Sequence, residues 1–127
     1  MTRAEIRREE ERVARALAYV MRRLEQTFDL SVGSREQPNL IEIEPRCWPD
    51  DPKLFNVFIR PELVAALTLA EVRHEALHEI LHMMEWPLYE EATKRMNAAQ
   101  TEAFRVNVWE PHTHEMTRRL APYILGG

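Results

Sequence analysis

Residues 74–78 read His-Glu-Ala-Leu-His, and this pentapeptide decides which fold and which chemistry the sequence predicts. On an α-helix, residues four positions apart project from the same face, so His74 and His78 can offer two imidazole nitrogens to one metal ion. Glu75 then lies beside that ion, where a carboxylate can take a proton from water. The pattern predicts a helix that binds zinc.

The surrounding residues predict where this helix begins and ends. Thr68 is a good N-cap, and Glu71 stands at the spacing of a capping box. Apolar residues cover much of the helix circumference: Val72, Ala76, Leu77, Ile80, Leu81 and Met84. A helix that is apolar on most sides is buried. Pro87 has no backbone N–H, and we expect the helix to end there.

A small sheet is predicted upstream of the helix. Residues 40–44 alternate between apolar and charged side chains, which is typical of a half-buried strand that ends at Pro45. Residues 54–60 are apolar enough for a second, largely buried strand. Residues 28–32 are the candidate for a short third strand.

Helices are predicted on both sides of this region. Residues 3–28 carry apolar side chains at steps of three, four or seven, so their apolar stripe covers the core or pairs with a partner, a homodimer included. Further helices are predicted at residues 88–106 and from Pro111 onward. The order of helix, small sheet and helices predicts an α+β fold, in one domain of residues 1–127.

The composition is that of a folded, water-soluble domain, with 45% hydrophobic and 30% charged residues. A net charge of −4, without a basic cluster among aromatic residues, argues against nucleic acid as a partner. No apolar run is long enough for a bilayer, and residues 1–12 are too charged for a signal peptide, so we expect a cytoplasmic protein. Cys47 is the only cysteine, so zinc has to be bound by histidine and carboxylate.

A catalytic zinc ion takes three protein ligands and one water, so a third ligand has to come from further along the chain. The candidates are Glu102, Glu110, His112, His114 and Glu115. His82 extends the histidine run, but each four-residue step along a helix rotates about 40° and rises about 6 Å. Three such histidines do not reach one ion, and we interpret His82 as a pocket-lining or core residue.

From about residue 28 onward, the chain resembles the small gluzincin-type metallopeptidases that are common in phages. They are related to the ImmA/IrrE group of repressor-cleaving proteins. In that family a short sheet precedes the His-Glu-x-x-His helix, and a later helix contributes a glutamate ligand a few residues before a Leu-Ala pair. The pentapeptide and residues 112–125, with Leu120-Ala121, carry the resemblance. It implies a minimal zincin-like fold.

The same resemblance implies a ligand set. If Leu120-Ala121 takes the place of the family's apolar pair, the third ligand position falls on His114, so that Zn²⁺ is bound by His74, His78 and His114. Glu115 and Glu110 remain the alternatives for that position.

The implied activity is hydrolysis of peptide bonds in a peptide or protein substrate, with Glu75 as the general base. The oxyanion would need a donor of the kind that His112, Tyr89 and Tyr123 offer. An extended substrate would lie along the strand that ends at Arg60.

Two other functions fit the sequence. One is a catalytically inactive regulatory or binding protein that is stabilised by zinc and keeps the zincin-like fold. The other needs no metal and is a helical interaction module in which the N-terminal helix is the working part.

Overall fold

The computed structural model describes residues 1–36 and 39–126. An N-terminal helix, α1 (Arg3–Arg23), is followed by three strands: β1 (Asp29–Ser34), β2 (Ile41–Cys47) and β3 (Asp51–Ile59). The helices α2 (Pro61–Val64), α3 (Leu69–Thr93), α4 (Ala98–Phe104) and α5 (Glu110–Ile124) come after the sheet, with a π-helical turn at Arg105–Trp109. This order confirms the predicted α+β class.

The three strands form one sheet in the order β1-β3-β2. β1 runs parallel to β3, with Val32 opposite Val57, and β2 runs antiparallel to β3, with Ile43 opposite the same valine. The candidate third strand at residues 28–32 is therefore present. The prediction that Pro45 ends its strand was wrong, because β2 continues to Cys47 through an irregularity in register. An edge strand tolerates proline at such a position.

The helix that carries the pentapeptide starts as predicted. The Thr68 hydroxyl accepts a hydrogen bond from the Glu71 N–H at 3.1 Å, and the Glu71 carboxylate accepts one from the Thr68 N–H at 2.9 Å. Pro87 does not end α3, which continues to Thr93. Pro87 is exposed, so water can solvate the backbone group that loses its partner. The predicted helix at residues 88–106 is consequently divided between α3, α4 and the π-helical turn.

The core lies between α1, α3 and the sheet. Its fully buried side chains include Val13, Leu17 and Val20 of α1, Phe55, Val57 and Ile59 of β3, and Val72, Leu77, Ile80 and Met83 of α3. The apolar stripe of α1 therefore packs against its own chain. None of the described helices combines the length and the apolar character that crossing a membrane requires.

Candidate metal centre

A cleft of about 760 Å³ lies between the edge strand β2 and the side chains of α3 and of the segment around the π-helical turn. Residues 39–44 form one wall. The other wall is made by side chains of α3 and of the segment around the π-helical turn: Glu75, His78, Glu79, His82, Trp86, Tyr89, Arg105, Trp109 and Glu110. Histidine, carboxylate and aromatic groups thus meet in one depression.

Three side chains converge in this cleft. Nε2 of His78 lies 3.4 Å from Oε2 of Glu110, and Nε2 of His82 lies 3.3 Å from Oε1 of the same carboxylate. One ligand atom from each of the three residues lies within 4.8 Å of the others. The two histidine side chains are only 9% and 6% exposed, and that of Glu110 is 32% exposed. Two imidazoles and one carboxylate in this arrangement could hold a metal ion.

The two histidines belong to a second copy of the pattern. Residues 78–82 read His-Glu-Ile-Leu-His and share His78 with the pentapeptide at residues 74–78. The sequence therefore contains a signal for His82 as well as for His74. As a pair, His78 and His82 have the four-residue spacing that brings two imidazoles to one face of a helix.

Of the three ligands that the sequence predicted, the structure brings His78 and His114 together, with ring centroids 4.6 Å apart, but not His74. His74 is exposed and lies outside the group of converging ligand atoms. His114 has a side chain that is 73% exposed, and its Nε2 atom stands 4.0 Å from the Glu110 carboxylate at the rim. The candidate site therefore lies one helical turn further along α3 than predicted, at His78 and His82 instead of His74 and His78.

The alternatives for the third ligand are also separated by the structure. Glu110 is the first residue of α5 and faces α3, whereas Glu115 bonds Arg118 at 2.6 Å and Arg119 at 2.8 Å on the exposed side of α5. These hydrogen bonds lower the pKa of Glu115 to about 2. Glu110, one of the two alternatives, is the carboxylate that joins the group.

In the second copy of the pattern, Glu79 follows His78 in the same way as Glu75 follows His74 in the first copy. It is 6% exposed and lines the cleft, and its carboxylate has no hydrogen bond or ion pair with any described residue. Burial raises the pKa of its carboxyl well above the usual value, and the nearby carboxylates of Glu110 and Glu75 raise it further. A buried carboxylate without a partner is costly, and a cation in the cleft would offset that cost.

Glu110 has the opposite electrostatic environment. Hydrogen bonds from His78 and from His82 hold the pKa of its carboxyl well below the usual value, although burial acts in the other direction. Glu110 is therefore ionised over the physiological pH range, which is the state that binds a cation.

Thr113 and Trp109 both contact the imidazole ring of His82. The Thr113 hydroxyl donates a hydrogen bond to the Trp109 carbonyl at 3.0 Å, and its oxygen lies 3.4 Å from Nδ1 of His82. Because its own hydrogen is used, the hydroxyl can accept a hydrogen bond from Nδ1–H, and in that tautomer Nε2 would carry a lone pair for a metal ion in place of its hydrogen bond to Glu110. The indole ring of Trp109 stacks on the imidazole at a centroid distance of 5.4 Å.

The π-helical turn at Arg105–Trp109 directly precedes Glu110. Such a turn inserts an extra residue into a helix and shifts the direction of the side chains that follow, and it is frequent at functional sites. Here Glu110 and the buried Thr113, three residues apart, both face α3. No pattern in the sequence indicated this turn.

The candidate oxyanion donors lie in different environments. Tyr89 lines the cleft, and burial raises the pKa of its phenol. His112 faces Glu85, with its Nε2 atom 3.3 Å from the Glu85 carboxylate, and Tyr123 is 82% exposed. Of these three residues, only Tyr89 contributes to the cleft wall.

The strand predicted to lie along a substrate is not at an edge. β3, which ends at Ile59 just before Arg60, is the central strand and pairs with β1 and β2 on its two sides. Its backbone groups are used inside the sheet, so that prediction was wrong. β2 is the edge strand that borders the cleft.

Comparison of this chain with protein-family models, curated proteins and solved structures gives no match.

Proposed function

We propose that the chain is a small zinc-dependent metallopeptidase in which His78, His82 and Glu110 bind the zinc ion and Glu79 is the general base. The observation that carries the proposal is the convergence of those three ligands beside a buried, unpartnered Glu79. Two imidazoles and one carboxylate are the ligand set of several catalytic zinc sites, which keep a fourth position for water or substrate.

The fold order and the third ligand support this proposal. A helix with His-Glu-x-x-His after a small sheet, followed by a helix that contributes a glutamate, is what the resemblance to the gluzincin-type family implies. With the histidine pair moved to residues 78 and 82, the third ligand is a glutamate, as in that family, and not His114. The minimal zincin-like fold is part of the proposal.

The arrangement assigns distinct tasks to the residues of the cleft. When bound, zinc polarises a carbonyl oxygen and lowers the pKa of a water molecule toward neutrality. Glu79 accepts a proton from water and passes it to the leaving amine, for which its position beside the ligands is suited. Tyr89 is the cleft residue with an O–H group that can donate to a developing oxyanion.

The substrate side of the cleft is formed by β2. As an edge strand it has backbone N–H and C=O groups on the side away from β3, and an extended peptide can pair with such groups. We therefore place the substrate along residues 39–44, facing Glu79 across the cleft.

The experiment that tests this function compares Glu79→Gln with Glu75→Gln. Both are glutamates on α3 that line the cleft, but only Glu79 is buried beside the converging ligands. We expect about one zinc per chain in both variants, with peptide hydrolysis reduced by about a hundredfold or more only in Glu79→Gln. Hydrolysis would be followed on a pool of quenched fluorescent peptides, and zinc by atomic emission.

Two outcomes would contradict the proposal. If Glu79→Gln cleaves the peptides as fast as the wild type, Glu79 is not the general base. If the wild type binds zinc but cleaves none of the pool, the inactive zinc-binding protein becomes the better explanation.

A further inference from the structure

A second cleft, of about 670 Å³, lies between α1 and the first turns of α3. All the charged side chains that line it are arginines: Arg12, Arg15, Arg22 and Arg73. None of the described acidic residues contributes to its wall, although the chain has 21 acidic and 17 basic residues. The local charge is thus opposite in sign to the net charge of the chain.

Two of the four guanidinium groups are held in place by the fold. Arg12 donates to the backbone carbonyl of Val64 at 3.0 Å and to that of Leu67, and it pairs with Glu9 at 3.4 Å. The guanidinium of Arg73 lies over the ring of Tyr19, 3.9 Å from the ring centroid. Groups fixed in this way lose little further freedom when they bind a ligand.

Arg73 also carries an unused donor. Its Nε atom is buried and has no hydrogen-bond partner among the described residues. Buried donors are almost always satisfied in native proteins, and one that is not calls for an acceptor that occupies the site. Arg73 lines the same cleft as Arg12, Arg15 and Arg22.

Arg15 and Arg22 complete the cleft from α1. Both are exposed, and neither guanidinium group forms a hydrogen bond or an ion pair with any described residue. Among the described residues, a carboxylate partner is present for Arg12 and for none of the other three guanidinium groups. Positive charges that share one cleft repel each other, and an anion between them relieves the repulsion.

We propose that this arginine cleft binds a small molecule with two or more phosphate charges, either inorganic pyrophosphate or the diphosphate of a nucleotide. Guanidinium groups bind phosphate oxygens through paired, charge-assisted hydrogen bonds. The volume of the cleft is in the range of small-molecule sites. The site is separate from the candidate metal centre and does not depend on its proposed function.

Calorimetric titration of the full chain with pyrophosphate and with ADP, at constant ionic strength, tests the proposal. We expect saturable binding of one ligand per chain. Arg73→Gln, and separately the double variant Arg15→Gln with Arg22→Gln, should each weaken it by about tenfold or more. Arg7→Gln removes the same charge from an exposed position of α1 outside the cleft, and it should change the affinity by less than about twofold.

The double variant keeps the test valid if Arg73→Gln fails to fold, because Arg15 and Arg22 are exposed and make no described contact that α1 needs. Equal affinities for the two ligands would indicate that the phosphates suffice, and tighter binding of ADP that the nucleoside contributes. The proposal is overturned if neither ligand saturates, if Arg7→Gln weakens binding as much as the cleft variants, or if the cleft variants bind normally.

Discussion

The Nε2 atom of His82 lies 3.3 Å from Oε1 of Glu110, although one residue belongs to α3 and the other begins α5. This contact joins the two helices at the candidate metal centre. It also distinguishes between the two overlapping copies of His-Glu-x-x-His, because Glu110 contacts His78 and His82 and not His74.

The two histidine pairs make opposite predictions for metal affinity. His82→Ala removes a converging ligand and should weaken zinc binding by more than about a hundredfold, since even the loss of an outer-shell partner costs 10- to 100-fold. His74→Ala is the matched control one helical turn on the other side of His78, and its affinity should stay close to that of the wild type. Competition with a chromophoric chelator measures the zinc affinity of both variants. An equal loss of affinity in the two would contradict the assignment to His78 and His82 and favour a site that includes residues 74–78.

Thr113 provides a test of the orientation of His82. Thr113→Val removes the hydroxyl that stands 3.4 Å from Nδ1 of His82, and we expect zinc affinity to fall by about tenfold. Thr117→Val is the control, because its hydroxyl is equally buried but bonds the Thr113 carbonyl at 2.7 Å and no imidazole. A similar fall of zinc affinity in both variants would mean that the effect is on packing.

Burial of Glu79 predicts a pH-dependent stability of the metal-free protein. Its pKa is raised in the folded state, so the folded protein holds this proton more tightly than the unfolded chain. The contribution of this group to stability is therefore fully present below the pKa that the Glu79 carboxyl has in the unfolded chain. It declines as the pH rises through the pKa of the same carboxyl in the folded protein. Glu79→Gln should therefore raise the free energy of unfolding by about 1–3 kcal/mol at pH 8 and leave it almost unchanged at about pH 4.

Denaturant unfolding in the presence of a chelator measures this difference. Glu75→Gln is the control, because Glu75 is less buried and should change the free energy of unfolding little at either pH. A Glu79→Gln variant that is less stable than the wild type at pH 8 would show that the buried carboxylate does not destabilise the folded protein.

Phe55 connects the core to the cleft. It is fully buried, and its ring meets Phe28 and the cleft residue Trp86 edge to face at centroid distances of 5.6 and 6.2 Å. Phe55→Ala should lower the free energy of unfolding by about 3–5 kcal/mol, because it leaves a cavity beside both rings. Leu88→Ala, at a position that is 64% exposed, should change it by less than about 0.5 kcal/mol. Similar losses in the two variants would contradict this account of the core.

Features that depend on neighbouring residues could be predicted from the sequence. The capping box at Thr68 and Glu71 and the amphipathic stripe of α1 are local patterns, and both are present. The position of β3 between β1 and β2 could not be predicted, because strand order depends on pairing between distant segments. The continuation of α3 past Pro87 also depends on its surroundings, since exposure to water limits the cost of the proline.

The sequence alone establishes that histidines recur every four residues along a capped, largely apolar helix, with a glutamate after two of them. Helix geometry then places any adjacent pair on one face, whatever the rest of the chain does. Which pair meets a third potential ligand depends on the tertiary structure, because it is set by the position along α3 at which α5 packs. Glu110 meets His78 and His82 at that level, while His74 and Glu75 lie one turn outside it.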